Sequence, residues 1–194
     1  MLMSITIKAQ DIIEKKHSIG MSLTSLLNST FKVDYEYQLN KNRSIVASVG
    51  YITRMDQDFN INGVSGEFQY RFYSVQKFMG YKTNLYVAPF TGIQYVDYKT
   101  NDYLKNPSII SINYESQYSS SDNSLKKEFT TIQGGFLFGI RSMPTDRIFV
   151  DANIGGGIKY CLDYDGVNFA NLGSQTLGYS GIYTRTNITV GVAF

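Results

Sequence analysis

Hydrophobic and polar residues alternate along much of this chain. In Phe31–Leu39, one face carries Phe31, Val33, Tyr35, Tyr37 and Leu39, and the other carries Lys32, Asp34, Glu36 and Gln38. A period of two places successive side chains on opposite sides of a strand, whereas a helix would scatter them around a cylinder. The same alternation recurs over Val64–Tyr73, Thr131–Arg141, Ile148–Tyr160 and Ile182–Phe194. In these five segments every charged residue falls on the polar face. Three weaker strands are predicted over His17–Leu26, Ser44–Thr53 and Asn84–Tyr98. Pro89 lies inside the last of these and lacks an N–H for the ladder, which points to a bulge or an edge there.

Asn40–Arg43 and Met143–Asp146 read as short turns and Ser74–Thr83 as a moderate connection. Arg54–Gly63, Lys99–Lys127 and Leu162–Leu177 read as longer connections at the opposite end, where only the link near Leu27–Thr30 is short. The expectation is an all-β fold: an eight-stranded antiparallel up-and-down barrel over residues 17–194, following an N-terminal segment 1–16. Such a barrel exists in two forms. A soluble lipocalin-like barrel turns its apolar face inward, and an outer-membrane barrel turns it toward lipid.

Four features favour the transmembrane form. An eight-stranded interior is only wide enough for side chains to fill it, and the aromatic face holding Phe31, Tyr35, Phe68, Phe72, Phe136 and Phe138 would overcrowd it. The polar face is small, with glycines at 20, 50, 135, 139, 155, 157 and 191. The biased segments match the roughly 9–11 residues of a tilted span. The short turns gather at one end and the long connections at the other, as in outer-membrane barrels.

Composition narrows the alternatives. The 194 residues include 16 Tyr, 12 Phe and no Trp, too aromatic for a disordered chain. The balance of 18 Lys+Arg against 16 Asp+Glu excludes a strongly basic nucleic-acid binder. The single Cys161 excludes a disulfide scaffold or a cysteine zinc site and is expected as a free buried thiol. The apolar runs are far too short for a membrane helix, which needs about 20 residues.

Nine charged residues fall on the inward face: Lys32, Asp34, Glu36, Glu67, Arg71, Arg141, Asp151, Lys159 and Arg185. Five are positive and four negative, so they read as a salt-bridged plug, since buried charges must be paired. The other reading is a narrow ion or proton path. Asp34 and Glu36 share a face, a spacing open to acid–base work or Ca²⁺ binding, but no matching ligand loop accompanies them. His17 is the only histidine, and its neighbour Ser18 must point to the opposite face, which separates a base–nucleophile pair. Gly155–Gly157 is not a phosphate loop and suits sharp curvature or close packing. Tyr37, Phe72, Phe149, Tyr160 and Phe194 fall at strand ends and suit interfacial belts. Gly66, Gly134, Ala152 and Gly156 lie on the outer face, where a partner barrel could approach.

The ending Ile188–Phe194, with Ile188, Val190, Val192 and Phe194 on one face, resembles the C-terminal β-signal of bacterial outer-membrane proteins. Phe31–Leu39 and Gly139–Tyr160 resemble segments of small eight-stranded barrels of the Bacteroidota, mostly of unknown function. Lys8-Ala9-Gln10 resembles the tail of signal peptides in that group, so residues 1–16 are expected to be a signal remnant or a periplasmic tail. The resemblance implies the bacterial outer membrane, with both termini periplasmic. It also implies recognition by the barrel-assembly machinery and contact with outer-membrane lipid; a larger outer-membrane complex is a partner only if the chain is an accessory subunit rather than an independent surface protein. The expected role is a non-enzymatic surface protein or accessory subunit with a closed, charge-filled lumen and no cofactor, metal or nucleic-acid partner. A lipid-modifying outer-membrane enzyme and a soluble lipid-binding barrel are the competing classes.

Overall fold

The structure, a computed structural model, describes residues 15–55, 59–78, 81–101, 124–163 and 180–194. The signal-like residues 1–10, most of Lys99–Lys127 and most of Leu162–Leu177 lie outside the described residues. The strands are β1 (His17–Ser22), β2 (Thr30–Asn40), β3 (Arg43–Met55), β4 (Phe59–Phe78), β5 (Tyr81–Asn101), β6 (Ser124–Met143), β7 (Ile148–Cys161) and β8 (Gly181–Ala193). Each pairs antiparallel with its neighbour in sequence, and β8 pairs with β1, giving a closed up-and-down barrel.

The barrel is strongly sheared. A row of neighbours starting at Ile19 runs through Tyr35, Ala47, Phe68, Thr91, Gly134 and Ile158 to Ile182. Ile19 itself faces Val192, ten positions further along β8. That offset tilts the strands, as closure of a barrel demands.

The sidedness is the inverse of a soluble barrel. Phe31, Phe68, Phe72, Phe136, Phe138 and Ile154 are exposed on the outside, while Lys32, Asp34, Glu36, Arg71, Arg141, Asp151 and Lys159 are buried. The inner wall is not purely polar. Tyr73, Tyr86, Ala88, Phe90, Leu137 and Tyr183 form one apolar cluster, and Ile52, Ile61 and Val96 form a second.

Four local expectations are corrected. The strand expected over His17–Leu26 stops at Ser22, where the Ser22 hydroxyl accepts the Ser25 N–H and caps a helical turn, α1 (Leu23–Leu27). Leu23, Leu26 and Leu27 stand at helical spacing and are exposed together, and Ser29 at φ 55° then redirects the chain into β2. Pro89 sits at neither a bulge nor an edge. The β4–β5 register is the same on both sides of it, the ladder merely skipping Tyr70 and Arg71, and Pro89 stays opposite Phe136 of β6. The Arg54–Gly63 and Ser74–Thr83 segments are mostly strand, because β3, β4 and β5 run on into them. Phe149 is buried in the lumen rather than placed in an outer belt, whereas Tyr37, Phe72, Tyr160 and Phe194 are exposed.

Glycines make room inside. The Phe149 ring lies over Gly20 and Gly191, where a Cβ would strike it. Gly139 likewise leaves space for the Tyr86 ring. Where β6 meets β7, a Cβ on Gly135, Gly155 or Gly157 would collide with a carbonyl oxygen of the opposite strand. The close approach expected of Gly155–Gly157 is therefore backbone against backbone.

Candidate functional site

The lumen holds all nine inward charges and divides them between two levels. Nearer the chain termini, Glu36 of β2 is the hub. It accepts the Ser44 hydroxyl, the Tyr73 hydroxyl at 2.6 Å, Arg71 at 3.4 Å and the Arg141 guanidinium. Arg71 also reaches Asp151 at 2.8 Å and donates from Nε to Gln69 at 3.0 Å. Asp151 takes the Tyr86 hydroxyl at 2.7 Å and the Asn153 amide at 3.3 Å. Arg141 donates to Ser18 at 3.0 Å, and its guanidinium lies 3.8 Å from the centre of the Phe149 ring. Arg71 lies 4.4 Å from the centre of the Tyr86 ring.

These contacts form a lattice of two arginines and two carboxylates, drawn from β2, β4, β6 and β7 and crossing the lumen. Its hydrogen-bonding groups are directed inward by the same pleat that sends Tyr35, Tyr70, Ile140 and Val150 outward. Buried charges demand such mutual satisfaction, and the flat guanidinium suits both carboxylate bridging and ring stacking.

The second level surrounds Glu67 of β4. Lys32 is 3.3 Å from it, and Arg185 binds it through both terminal nitrogens. Gln69 joins the levels by donating to Glu67 at 2.7 Å while accepting from Arg71. Arg185 also lies 4.9 Å from the Phe90 ring centre. Lys159 donates to Gln94 at 3.3 Å. Asp34 accepts Thr189 at 3.1 Å, and among the described residues it shares no hydrogen-bond partner with Glu36.

Tyr73, Tyr86 and Gln69 complete the lattice and were not singled out from the sequence. Their signal was their position: each is on the polar side of the alternation, beside residues that turn inward. Replacing Tyr73 by phenylalanine removes one donor to Glu36 and leaves the ring. The expected destabilisation is about 1.5–3 kcal/mol, as for other hydrogen bonds to charged groups, read from urea unfolding in detergent.

The other candidates resolve simply. His17 Nδ1 lies 2.7 Å from the Tyr35 hydroxyl and its ring packs against Phe194 with centroids 5.9 Å apart, while Ser18 turns inward to Arg141. The adjacent pair is thus split across the wall. Ile188, Val192 and Phe194 are exposed on the outer face, with Val190 between them on that face and half-buried. Cys161 is buried and free. Among the described residues no three His, Cys, Asp or Glu side chains gather as a metal cradle. Gly66, Gly134, Ala152 and Gly156 are half-buried on the outer wall.

No family model matches the chain, and no curated protein matches it either. Solved structures of similar shape are small barrels. The N-terminal β-barrel domain of Pseudomonas aeruginosa OprF has a TM-score of 0.36 at 14% identity, over 92% of this chain and 96% of that one. Ail, the attachment invasion locus protein of Yersinia pestis, has a TM-score of 0.41 at 13% identity, over 92% and 96%. Neisserial surface protein A has a TM-score of 0.43 at 11% identity, over 91% of each chain.

Proposed function

We propose that this chain is a non-enzymatic outer-membrane β-barrel whose lumen is closed by the Glu36–Arg71–Asp151–Arg141 lattice. It acts as a surface protein or as an accessory subunit of a larger outer-membrane complex. The observation that carries this reading is the reversed sidedness: bulky apolar side chains outside, paired charges within. In water that outer face would be an apolar patch encircling the molecule, whereas lipid satisfies it.

The backbone supports the same reading, since a closed barrel leaves few unpaired strand groups for lipid to meet. His17 and Phe194 exchange both backbone hydrogen bonds, so the start of β1 and the C-terminus share one rim. The β2–β3 turn and the Met143–Ile148 turn are short and lie at that rim. We assign it to the periplasm by the usual asymmetry of turns and loops. We read Ile188, Val192 and Phe194, which are exposed on the outer face, as the apolar face of a β-signal.

Two experiments test this reading. Folded protein should be recovered from the membrane fraction, migrate differently in gels before and after boiling, and give no steady conductance in a planar bilayer. A steady conductance abolished by Arg141→Ala would contradict the closed lumen. In cells, Phe194→Ala should lower the amount of assembled barrel severalfold while reducing the unfolding free energy of refolded protein by only about 0.5–1.5 kcal/mol, the worth of the lost ring contact with His17. Equal cellular yields of the two forms would remove the β-signal role.

A further inference from the structure

The nine inward charges do not cancel. Five are positive and four negative, a balance of +1. The Glu36–Arg71–Asp151–Arg141 lattice holds two of each sign and is neutral. The excess therefore sits at the other level, where Lys32, Lys159 and Arg185 stand against Glu67 and Asp34. Lys32 and Lys159 are more than nine-tenths buried, at 8% and 9% exposure.

A cavity of about 360 Å³ lies at that level. All three cations line it, together with Gln94, Gln133 and Asn187, and among the described residues no carboxylate does. Glu67 is bound by Lys32 and Arg185 but is not part of the wall, and Asp34 accepts Thr189. Lys159 donates to the neutral Gln94 at 3.3 Å. The helical turn α1 packs against β2 and β8 and adds Ser25 and Asn28 to the wall. Along β2, Lys32 lies four positions further from the terminal rim than Glu36, so the lattice closes the lumen on the terminal side of the cavity.

We propose that this chamber binds a small phosphate-type anion, as inorganic phosphate or as a phosphate monoester. The proposal rests on the closed lumen proposed above. An ammonium has three N–H donors and a guanidinium five, of which a carboxylate fork takes two. The wall therefore offers donors in excess, and the glutamine amides add more. A tetrahedral oxyanion points its acceptors in several directions and engages cations from β2, β7 and β8 at once. At about 30 Å³ for each water the chamber has room for about a dozen, and it falls within the roughly 300–1,000 Å³ of small-molecule sites. That leaves space for a short carbon chain beyond the phosphate.

Other occupants fit less well. Water alone leaves an excess positive charge buried without a counter-charge, an arrangement that desolvation penalises. A metal cation meets a wall with three positive groups and no negative one.

The test is isothermal titration calorimetry of the refolded full chain in a non-ionic detergent at low ionic strength, with inorganic phosphate, glycerol 3-phosphate and chloride as titrants. Phosphate or glycerol 3-phosphate should bind saturably, and chloride should not. Tighter binding of glycerol 3-phosphate assigns the ester as the ligand, and equal or tighter binding of inorganic phosphate assigns the free anion. Lys159→Gln should weaken binding by about tenfold or more, as the loss of a hydrogen bond to a charged group does, while Lys159→Arg should keep most of it. Gln133→Glu places a carboxylate opposite Lys159 and should abolish binding. Each variant is compared as protein that still shows the heat-dependent gel shift. Absence of binding of both phosphates by the unsubstituted chain would overturn the proposal. So would equally tight binding of chloride, or undiminished binding by both Lys159→Gln and Gln133→Glu. Failure of the closed-lumen reading is distinguishable, because it shows as steady conductance of the unsubstituted chain, whereas failure here shows as absent binding in a barrel that does not conduct.

Discussion

Replacing Glu36 by leucine is expected to destabilise the barrel by about 3–5 kcal/mol, the usual cost of removing one partner from a buried charge group. Glu36 is the meeting point of Arg71, Arg141, Ser44 and Tyr73. Its loss leaves Arg71 with Asp151 but strips Arg141 of its carboxylate, leaving Ser18 and the Phe149 ring as its remaining partners. The measurement is urea unfolding in detergent followed by circular dichroism. The paired variant Glu36→Leu with Arg141→Met removes one charge of each sign and should recover a large part of the loss, because contacting sites are not additive. A single-variant cost below that of an ordinary surface substitution would show that the lattice does not hold the lumen together.

The second large effect is expected at Gly157. A Cβ there would overlap the Gly134 carbonyl oxygen and crowd Gly135 on the facing strand. Backbone cannot swing aside as a flexible side chain can. Gly157→Ala should therefore force β6 and β7 apart, at the upper end of overpacking costs or beyond, about 3 kcal/mol. Gly66→Ala provides the contrast, since a Cβ there would meet only Ile93 at 3.8 Å, an ordinary contact. Folding yield into detergent and the unfolding midpoint should fall for Gly157→Ala and stay near the parent for Gly66→Ala. Equal behaviour of the two would mean that close strand approach is not what the Gly155–Gly157 run provides.

The strand faces are legible because a wall with an apolar outer face and a largely polar lumen imposes a period of two on the residues within it. Phe31–Leu39 and Ile148–Tyr160 show this directly. The signal weakens where a strand leaves the apolar band, since both faces then tolerate polar groups, and so the alternation stops short of the ends of β4 and β5 at Asn60–Gly63 and Lys82–Thr83. The end of β1 is ambiguous in sequence because Leu23 fits the strand period, while the Ser22 cap and the Leu23, Leu26, Leu27 spacing mark a helical turn. An aromatic at a strand end suits a belt, so Phe149 gives no sequence sign of its place in the lumen. Its true partners, Gly20, Gly191 and Arg141, lie on other strands. Membership of the inward charge set could be read from alternation. The pairing of Arg71 with Asp151 across 80 positions could not, since it depends on register and shear.

The central claim is the sidedness of the wall, and the absence of tryptophan allows it to be read one residue at a time. Single tryptophans at Phe68, Phe136 and Phe90, in protein reconstituted into vesicles with brominated acyl chains, provide three reporters. Phe68 and Phe136 are exposed on the outer face, and Phe90 is buried inside. The fluorescence of Phe68→Trp and Phe136→Trp should be strongly quenched by the bromines and that of Phe90→Trp should not. Quenching of the Phe90 reporter with protection of the other two would contradict the account.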